Sequence, residues 1–443
     1  MRKTFGLILA FVVTAAFAFA SGQPEGKPAA GAQAQGAPVT LRVMWWGSQQ
    51  RHERTIKVMD MYSQANPNVK FDYEFSQWQD YWTKLTTMAA GNNLPDIMQQ
   101  DYAYLTQWQS RGLVIPLDSY IADKTIDFTN VPDATVSGGR VDGKMYGIDL
   151  GTNSMGILVD AGAFAKAGIP MPSKSWTFQD WANAARQIHQ KLGIWGIGYN
   201  YSDVNFWIAM TVGMGATPFN KAGTELGYPP SQDKVLVDYM TMMKKLYSEG
   251  VLPPYSDTVT FRSQGVEQNA IVAGKAAMEH MWSNQVVAAW TAAGVDKRNF
   301  VFYPMPKVTA NGPSSNYIKD SQFFSVTKDS KNPAEAARFI NYFTNDVDAN
   351  KVLLAERGVP ISTVVLNALK PLLDKPNQEV FAYMAYISPI ASPTPPPEPK
   401  GASTLEQQLY NAQVFDPFMF DKISADQAAA TWRSIAKQTL QGY

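Results

Sequence analysis

The sequence predicts an α/β protein of two or three domains. Three observations carry that expectation. From Val39 onward, apolar residues switch in turn between a period of two and a period near 3.6. The resulting βαβα order argues for helices layered on a mostly parallel sheet. The 443 residues also exceed what a single hydrophobic core usually serves.

The elements follow in chain order. TLRVMWW is the first strand, and a helix with Thr55, Val58, Met59 and Tyr62 on one face runs to the stop at Asn66-Pro67. Val69, Phe71, Tyr73 and Phe75 alternate with Lys70, Asp72 and Glu74, as in a half-buried strand. The helix WQDYWTKLTTMAA, the short strand PDIMQQ and a helix from Tyr102 come next. VDGKMYGI reads as a hairpin turning on Asp142-Gly143. A second set of elements begins with GILVDAGAFAKAGIP. Thr177 and Asp180 have capping-box spacing before a helix with Trp181, Ala185, Ile188 and Leu192 on one face. IWGIGY is a strand. Later helices carry Leu236, Tyr239, Met240 and Met243, then Phe339, Ile340 and Phe343, and finally Trp432, Ile435, Ala436 and Leu440, the last capped by Ser424 and Gln427. ISPIASPTPPPEPKG has too many prolines for helix or central strand and is expected as a surface loop.

The ends and the composition bound the compartment. Arg2 and Lys3 precede a sixteen-residue apolar run ending in Ala18-Phe19-Ala20, which predicts a signal peptide at 1–20 cleaved after Ala20. That run is shorter than the roughly 20 residues of a spanning helix. Residues 21–38 are rich in Gly, Ala, Pro and Gln and are expected to form a disordered linker. Cysteine is absent, which excludes disulfides, thiol catalysis, thiolate metal sites and a lipid-modified cysteine anchor. Removing Arg2 and Lys3 from the 38 basic residues leaves 36 against 38 acidic. A balance so near neutral offers no electrostatic footprint for nucleic acid or an anionic membrane.

Catalytic signatures are scarce. His52, His189 and His280 are scattered, with no metal-binding spacing and no G-x-S-x-G elbow anywhere. GGRVDGKM approaches a phosphate loop, but Met145 stands where Ser or Thr must hold magnesium, and the hairpin accounts for the same residues better. No cofactor and no metal are expected, and no acid pair stands out among 38 carboxylates.

What does stand out lies at the expected strand ends, where ligands of open α/β sheets bind. Trp45, Trp46, Gln49, Arg51 and His52 follow the first strand, Trp78 and Tyr81 the second, Asp101 and Tyr102 the third. A sugar ring has an apolar C–H face and a rim of hydroxyls, so flat aromatics beside carboxylates, amides and guanidinium groups suit it. Trp45 and Trp46 point to opposite faces of a strand, and Trp46 is the one expected to meet ligand. Trp82 and Trp108 fall on apolar helix faces and belong to the core. Arg51 and His52 either reach ligand or pair with Asp101.

The chain resembles the extracellular sugar-binding proteins of bacterial ABC importers. The resemblance covers almost all of it after the leader: LRVMWWG, the stretch from Ala89 to Ile121, VDGKMYGIDLGTNSMGILVD, GKAAMEHMWSNQ, FVFYPMP and ERGVPIS, in that order. It implies a two-lobed periplasmic-binding-protein fold of the class II type, each lobe a mixed sheet flanked by helices, closing about a hinge. The N-terminal lobe would hold 39–150 and 306–352, the C-terminal lobe 153–303 and 355–443. The crossings would be Leu150-Gly151-Thr152, Tyr303-Pro304 and Glu356-Arg357-Gly358. By the same resemblance Trp46 and Trp78 form the first wall, Asp101-Tyr102 grip hydroxyls, Asn153 enters the second lobe facing the cleft, Trp282 is the opposing aromatic, and Arg357 lies in the last crossing. Trp207 is a further candidate, although FWIAM also reads as a buried helix.

These readings lead to a monomeric, non-enzymatic receptor in the periplasm, without a lipid anchor. It captures a carbohydrate, an oligosaccharide by its stock of stacking residues, and delivers it to a membrane-embedded permease. Arg51, His52 and Arg357 leave room for an acidic sugar. A secreted glycan-degrading enzyme, with a carboxylate pair about 5 to 9 Å apart, is the competing expectation. A matrix-binding module with a flat aromatic strip is a third.

Overall fold

A computed structural model describes residues 37–132, 135–320 and 322–442. The expected signal peptide and nearly all of the 21–38 linker lie outside the described residues. Two larger sheets, of five and four strands, organise the described chain from Pro38 onward, beside two two-stranded pairs. In the first, Val39–Trp46 runs parallel to Val69–Ser76 on one side and to Ile97–Asp101 on the other. Gln322–Val326 then pairs antiparallel with Ile97–Asp101, and Ile148–Asp149 closes the far edge. A strand from late in the chain thus completes a sheet begun at its start.

The period-two pattern decides what each face buries. Leu41, Val43 and Trp45 enter one core with Val58, Met59, Phe339, Ile340 and Phe343. Met44 and Trp46 enter another with Tyr81, Trp82, Leu85 and Trp108. The adjacent tryptophans therefore serve opposite sides of one sheet.

The second sheet is mostly antiparallel, not mostly parallel as the alternation predicts. Met155–Asp160 pairs antiparallel with both Phe300–Pro304 and Ala276–Trp282, and only Trp195–Ile197 adds in parallel. The helix Phe178–Leu192 packs Trp181, Ala185 and Ile188 into its core, under the capping box of Thr177 and Asp180. The last helix, Ala425–Gln441, adds Trp432, Ala436 and Leu440 to the same core. No helix among the described residues is long and apolar enough to cross a membrane.

Three crossings join the sheets, and they lie side by side. Thr152–Asn153 pairs antiparallel with Lys319–Asp320, and Thr152 exchanges backbone hydrogen bonds with Val359 at 2.8 and 3.0 Å. Asn153 Nδ2 donates to the Arg357 carbonyl at 3.0 Å. Gly151 and Gly358 pack backbone to backbone at positive φ, where a Cβ on Gly151 would come within 2.8 Å of the Gly358 carbonyl carbon. The middle crossing corrects the expected one. Tyr303-Pro304 still belongs to the edge strand of the second sheet, and Met305 and Tyr317 remain in its core, so the chain passes back at Lys319–Asp320. The FVFYPMP run reads as a strand end because proline follows it, yet Pro304 still pairs opposite Gly156.

One ion pair locks the first sheet to the last crossing. The helix Gln49–Ala65 starts at Ser48, whose hydroxyl caps the Arg51 amide. Arg51 Nε contacts Glu356 Oε2 at 2.7 Å and Oε1 at 3.0 Å, and its Nη1 reaches the Trp46 carbonyl at 3.1 Å. Both side chains are only 5% and 3% exposed, so each charge depends on the other. Breaking such a pair leaves an uncompensated buried charge, at a cost of about 3–5 kcal/mol. Glu356→Ala is therefore expected to lose about that much stability, read as a lower urea midpoint with an unchanged slope.

Candidate functional site

A cleft of about 350 Å³ lies between the two sheets, beside the crossings. Trp46, Gly47, Ser48, Gln77, Trp78 and Asp101 line it from the first sheet's side. Tyr199, Asn200, Ser202 to Asn205, Phe261, Arg262, His280 and Trp282 line it from the second. Asn153 and Lys319 come from the crossings.

The aromatic walls are braced from behind. Trp46 meets Trp78 edge-on at 4.8 Å and leans on Tyr81 and Trp82. Trp82 in turn stacks on Tyr104 at 3.7 Å. Across the cleft Trp282 contacts Tyr317 and carries Lys319 Nζ 4.9 Å above its ring. Packing of this kind holds a flat surface in one orientation, which stacking on a ring requires.

The polar groups are equally constrained. Asp101 caps its helix through the Ala103 amide, and both its carboxylate oxygens lie 3.3 Å from Lys319 Nζ. Neither Arg51 nor His52 pairs with it. Asn153 Oδ1 accepts from Ser283 at 2.8 Å, fixing the amide at the cleft's base. Arg262 is clamped by both oxygens of Asp416 at 3.0 and 2.8 Å, and by Ser202 and Tyr255. The turn Tyr199–Ser202 hangs on the buried carboxyl of Glu279, which accepts from the Tyr199 and Asn200 amides. Burial outweighs those two bonds and pushes Glu279 up to about 8.

Late segments complete the cleft. The expected surface loop 387–401 brings in Glu398. After it, Leu405–Phe415 forms a π-helix that turns Glu406, Gln407 and Asn411 to the cleft and Leu405, Tyr410, Val414 and Phe415 to the core. Runs of this geometry are rare and gather at functional sites. Two contacts bridge the cleft's mouth: Trp78 Nε1 donates to Gln407 at 3.3 Å, and the Gln49 amide to Glu267 at 3.1 Å.

Of the twelve expected site residues, the cleft gathers Trp46, Arg51, Trp78, Asp101, Asn153 and Trp282. The other six stand elsewhere. The Gln49 side chain is tied to Glu53 at the rim. His52 is buried, stacked on Phe75, and accepts from Trp45 Nε1, so its Nδ1 carries no proton. Burial, together with Arg51 and Arg357, pushes His52 down to about 4. Tyr81 is fully buried with its hydroxyl on the Gln99 carbonyl, and Tyr102 donates to the Pro395 carbonyl. Arg357 is buried on Gln99 and Thr55 and contributes to the joint, not to the cleft. Trp207 belongs to the core, against Trp432, with its Nε1 on Tyr228.

Lys319, Arg262, Glu398 and Glu406 went unnoticed in the sequence. Each sits in a stretch without apolar periodicity or motif, so only the fold brings it to the cleft.

With this geometry in view, comparison with known proteins is informative. The bacterial extracellular solute-binding protein family matches residues 57–377. The chain belongs to that family. A family 1 extracellular solute-binding protein from Alicyclobacillus acidocaldarius is 29% identical and covers 92% of this chain and 99% of its own, with a TM-score of 0.63. A periplasmic oligogalacturonide binding protein from Yersinia enterocolitica, solved with saturated digalacturonic acid, is 21% identical with a TM-score of 0.78 over 91% of this chain and 99% of that one. An ABC substrate-binding protein from Listeria monocytogenes, solved with cycloalternan, is 20% identical with a TM-score of 0.77 over the same shares. Those two likenesses establish the two-domain fold of this solute-binding protein. A Brucella abortus chain named as a binding protein is 25% identical over 229 residues, 50% of this chain and 52% of that one. The chain thus spans about half the length of the curated relatives it matches.

Because Trp207 fills the core of the solute-binding protein, Trp207→Ala is expected to cost about 3–5 kcal/mol of folding stability. Chemical denaturation followed by circular dichroism reads that loss directly.

Proposed function

We propose that the solute-binding protein is the receptor of an ABC importer, capturing an oligosaccharide between its two sheets and delivering it to a membrane permease. The observation that carries this reading is the pairing of braced aromatics across one cleft, Trp46 and Trp78 facing Trp282, with polar groups between them. Opposed aromatic faces suit the two C–H faces of a pyranose, and the carboxylates and amides suit its hydroxyl rim. The proteins of like fold that hold digalacturonic acid and cycloalternan support a saccharide as ligand.

In this reading Trp46, Trp78, Asp101, Asn153 and Trp282 touch the sugar. Arg51, His52, Tyr81, Tyr102 and Arg357 hold those groups in place, Trp207 supports the wall behind them, and Gln49 guards the rim. The lobes are 39–150 with 322–352, and 153–318 with 355–443, turning about the three crossings. Sugar favours the closed arrangement because only there do both walls contact it. The mature chain is exported to the periplasm without a lipid anchor, acts as a monomer and neither binds nucleic acid nor turns over its ligand.

Thermal-shift screening of residues 21–443 against neutral, basic and acidic oligosaccharides tests the reading. Ligand at about 100 times its dissociation constant adds about 2.7 kcal/mol, a readable shift. The expected result is a shift with the sugar recovered intact. Breakdown products would instead assign the cleft's carboxyls to glycoside hydrolysis. Trp46→Ala and Trp282→Ala are each expected to weaken binding at least tenfold by isothermal titration calorimetry, with unchanged circular dichroism.

A further inference from the structure

The charged groups lining the cleft do not balance. Arg51 is consumed by Glu356 and Arg262 by Asp416. That leaves Lys319 as the cation facing Asp101, Asp203, Glu398 and Glu406 among the described residues. Lys319 is itself committed to Asp101 at 3.3 Å. Asp203 is occupied as well, accepting from the backbone and side chain of Asn205. Glu398 and Glu406 are the two carboxyls for which no such cation or cap is present.

Their oxygens are also sealed without partners. Glu406 is 3% exposed, and its Oε1 has no hydrogen-bond partner among the described residues. Glu398 as a residue is partly exposed, but its Oε2 is fully enclosed and equally unpartnered. A third unmet acceptor lines the same cleft. His280 Nδ1 lies 3.1 Å from the Gly156 carbonyl and must donate to it, which leaves Nε2 with a lone pair and no partner. An enclosed acceptor without a donor is costly, and an ionised carboxylate more so. Gln322 Oε1 and Asn411 Oδ1 on the same lining bring such acceptors to five, against two unpartnered donors, Arg262 Nε and Asn269 Nδ2, and that balance suits a ligand rich in donors.

We infer that the ligand presents a protonated amine to the Glu398–Glu406 pair, so that the saccharide is an amino sugar. The inference rests on the carbohydrate reading above and narrows it. A hydroxyl can satisfy these acceptors only while the carboxyls keep their protons, whereas an ammonium group supplies donors and the positive charge that lets both ionise. The arrangement disfavours the acidic sugar expected from Arg51, His52 and Arg357, because all three are held inside the protein by other residues.

Proton linkage follows. Desolvation raises both carboxyls, Glu398 to about 7 and Glu406 well above its usual range, against the lowering pull of Lys319. Asp101 and Asp203 push in the same direction as burial, and Tyr102, Tyr104 and Tyr317 are the other titratable groups facing the pair. The empty cleft therefore holds protons at pH 5.5 that an ammonium ligand displaces. Amine affinity rises as pH climbs from 5.5 toward the ammonium group's own pKa, with net proton release.

The test is calorimetric titration of the full chain with four trimers: glucosamine, N-acetylglucosamine, glucose and galacturonic acid. The expected result is glucosamine binding at least tenfold tighter than the neutral trimers, with the uronic trimer weakest and proton release seen in buffers of different ionisation enthalpy. Glu406→Gln should bring the glucosamine-to-glucose ratio below threefold, and Glu398→Gln reads the same ratio if the first variant fails to fold. Equal affinities for glucosamine and glucose would overturn the amine inference while leaving the carbohydrate receptor standing. Tightest binding of the uronic trimer would do the same. No binding by any trimer would overturn both.

Discussion

The buried pair of Arg51 and Glu356 is the constraint on which the rest of the solute-binding protein depends. Arg51 belongs to the first turn of the helix that follows the opening strand, and Glu356 to the last crossing between the sheets. Their contact sets where Trp46 ends its strand, because the same guanidinium holds the Trp46 carbonyl. It also fixes the crossing against which Asn153 leans through the Arg357 carbonyl. A desolvated ion pair contributes little net stability by comparison with apolar packing. Its value here is positional, because the enclosed carboxylate gathers Arg51 at 2.7 Å and Arg357 at 3.7 Å around one crossing.

Much of the fold was legible in the sequence because burial leaves a periodic trace. The alternation of Leu41, Val43 and Trp45 with Met44 and Trp46 assigned each tryptophan to its face, and the capping boxes at Thr177 and Ser424 marked helix starts that the structure reproduces. Asp142-Gly143 turned as such a dipeptide does, with positive φ at both residues. Direction of pairing left no such trace. An antiparallel and a parallel strand bury the same alternate residues, so the second sheet's orientation was invisible. The middle crossing was displaced for a related reason: residues 305–318 carry no regular pattern, and only their burial against the second core assigns them.

The site was less legible than its scaffold. Aromatics at strand ends pointed to Trp46 and Trp78 but also to Tyr81 and Tyr102, which the fold buries, and Trp282 came from the family resemblance alone. Polar residues at the same ends divided between cleft and support, and nothing local separates the two. His52 and Asp101 look alike as polar residues at strand ends, yet one is locked behind Trp45 and the other faces Lys319. Glu398 and Glu406 stood still further from any signal. One sits in a proline-rich run and the other on a helix whose wider i to i+5 spacing breaks the 3.6 period used to read faces.

That division of labour separates framework from specificity. The sheets, the crossings and the Arg51–Glu356 pair are built from segments spread along the whole chain and depend on one another. The loop at 387–401 and the π-helix after it are one continuous stretch, tied to the first sheet's side through the Pro395 carbonyl, Ser403 and Gln407. Within that stretch the side chains turned to the cleft, Glu398, Glu406, Gln407 and Asn411, can change while Leu405, Tyr410, Val414 and Phe415 keep their places in the core. In such an architecture the groups offered to a ligand sit on one short passage, while the sheets and crossings come from the rest of the chain.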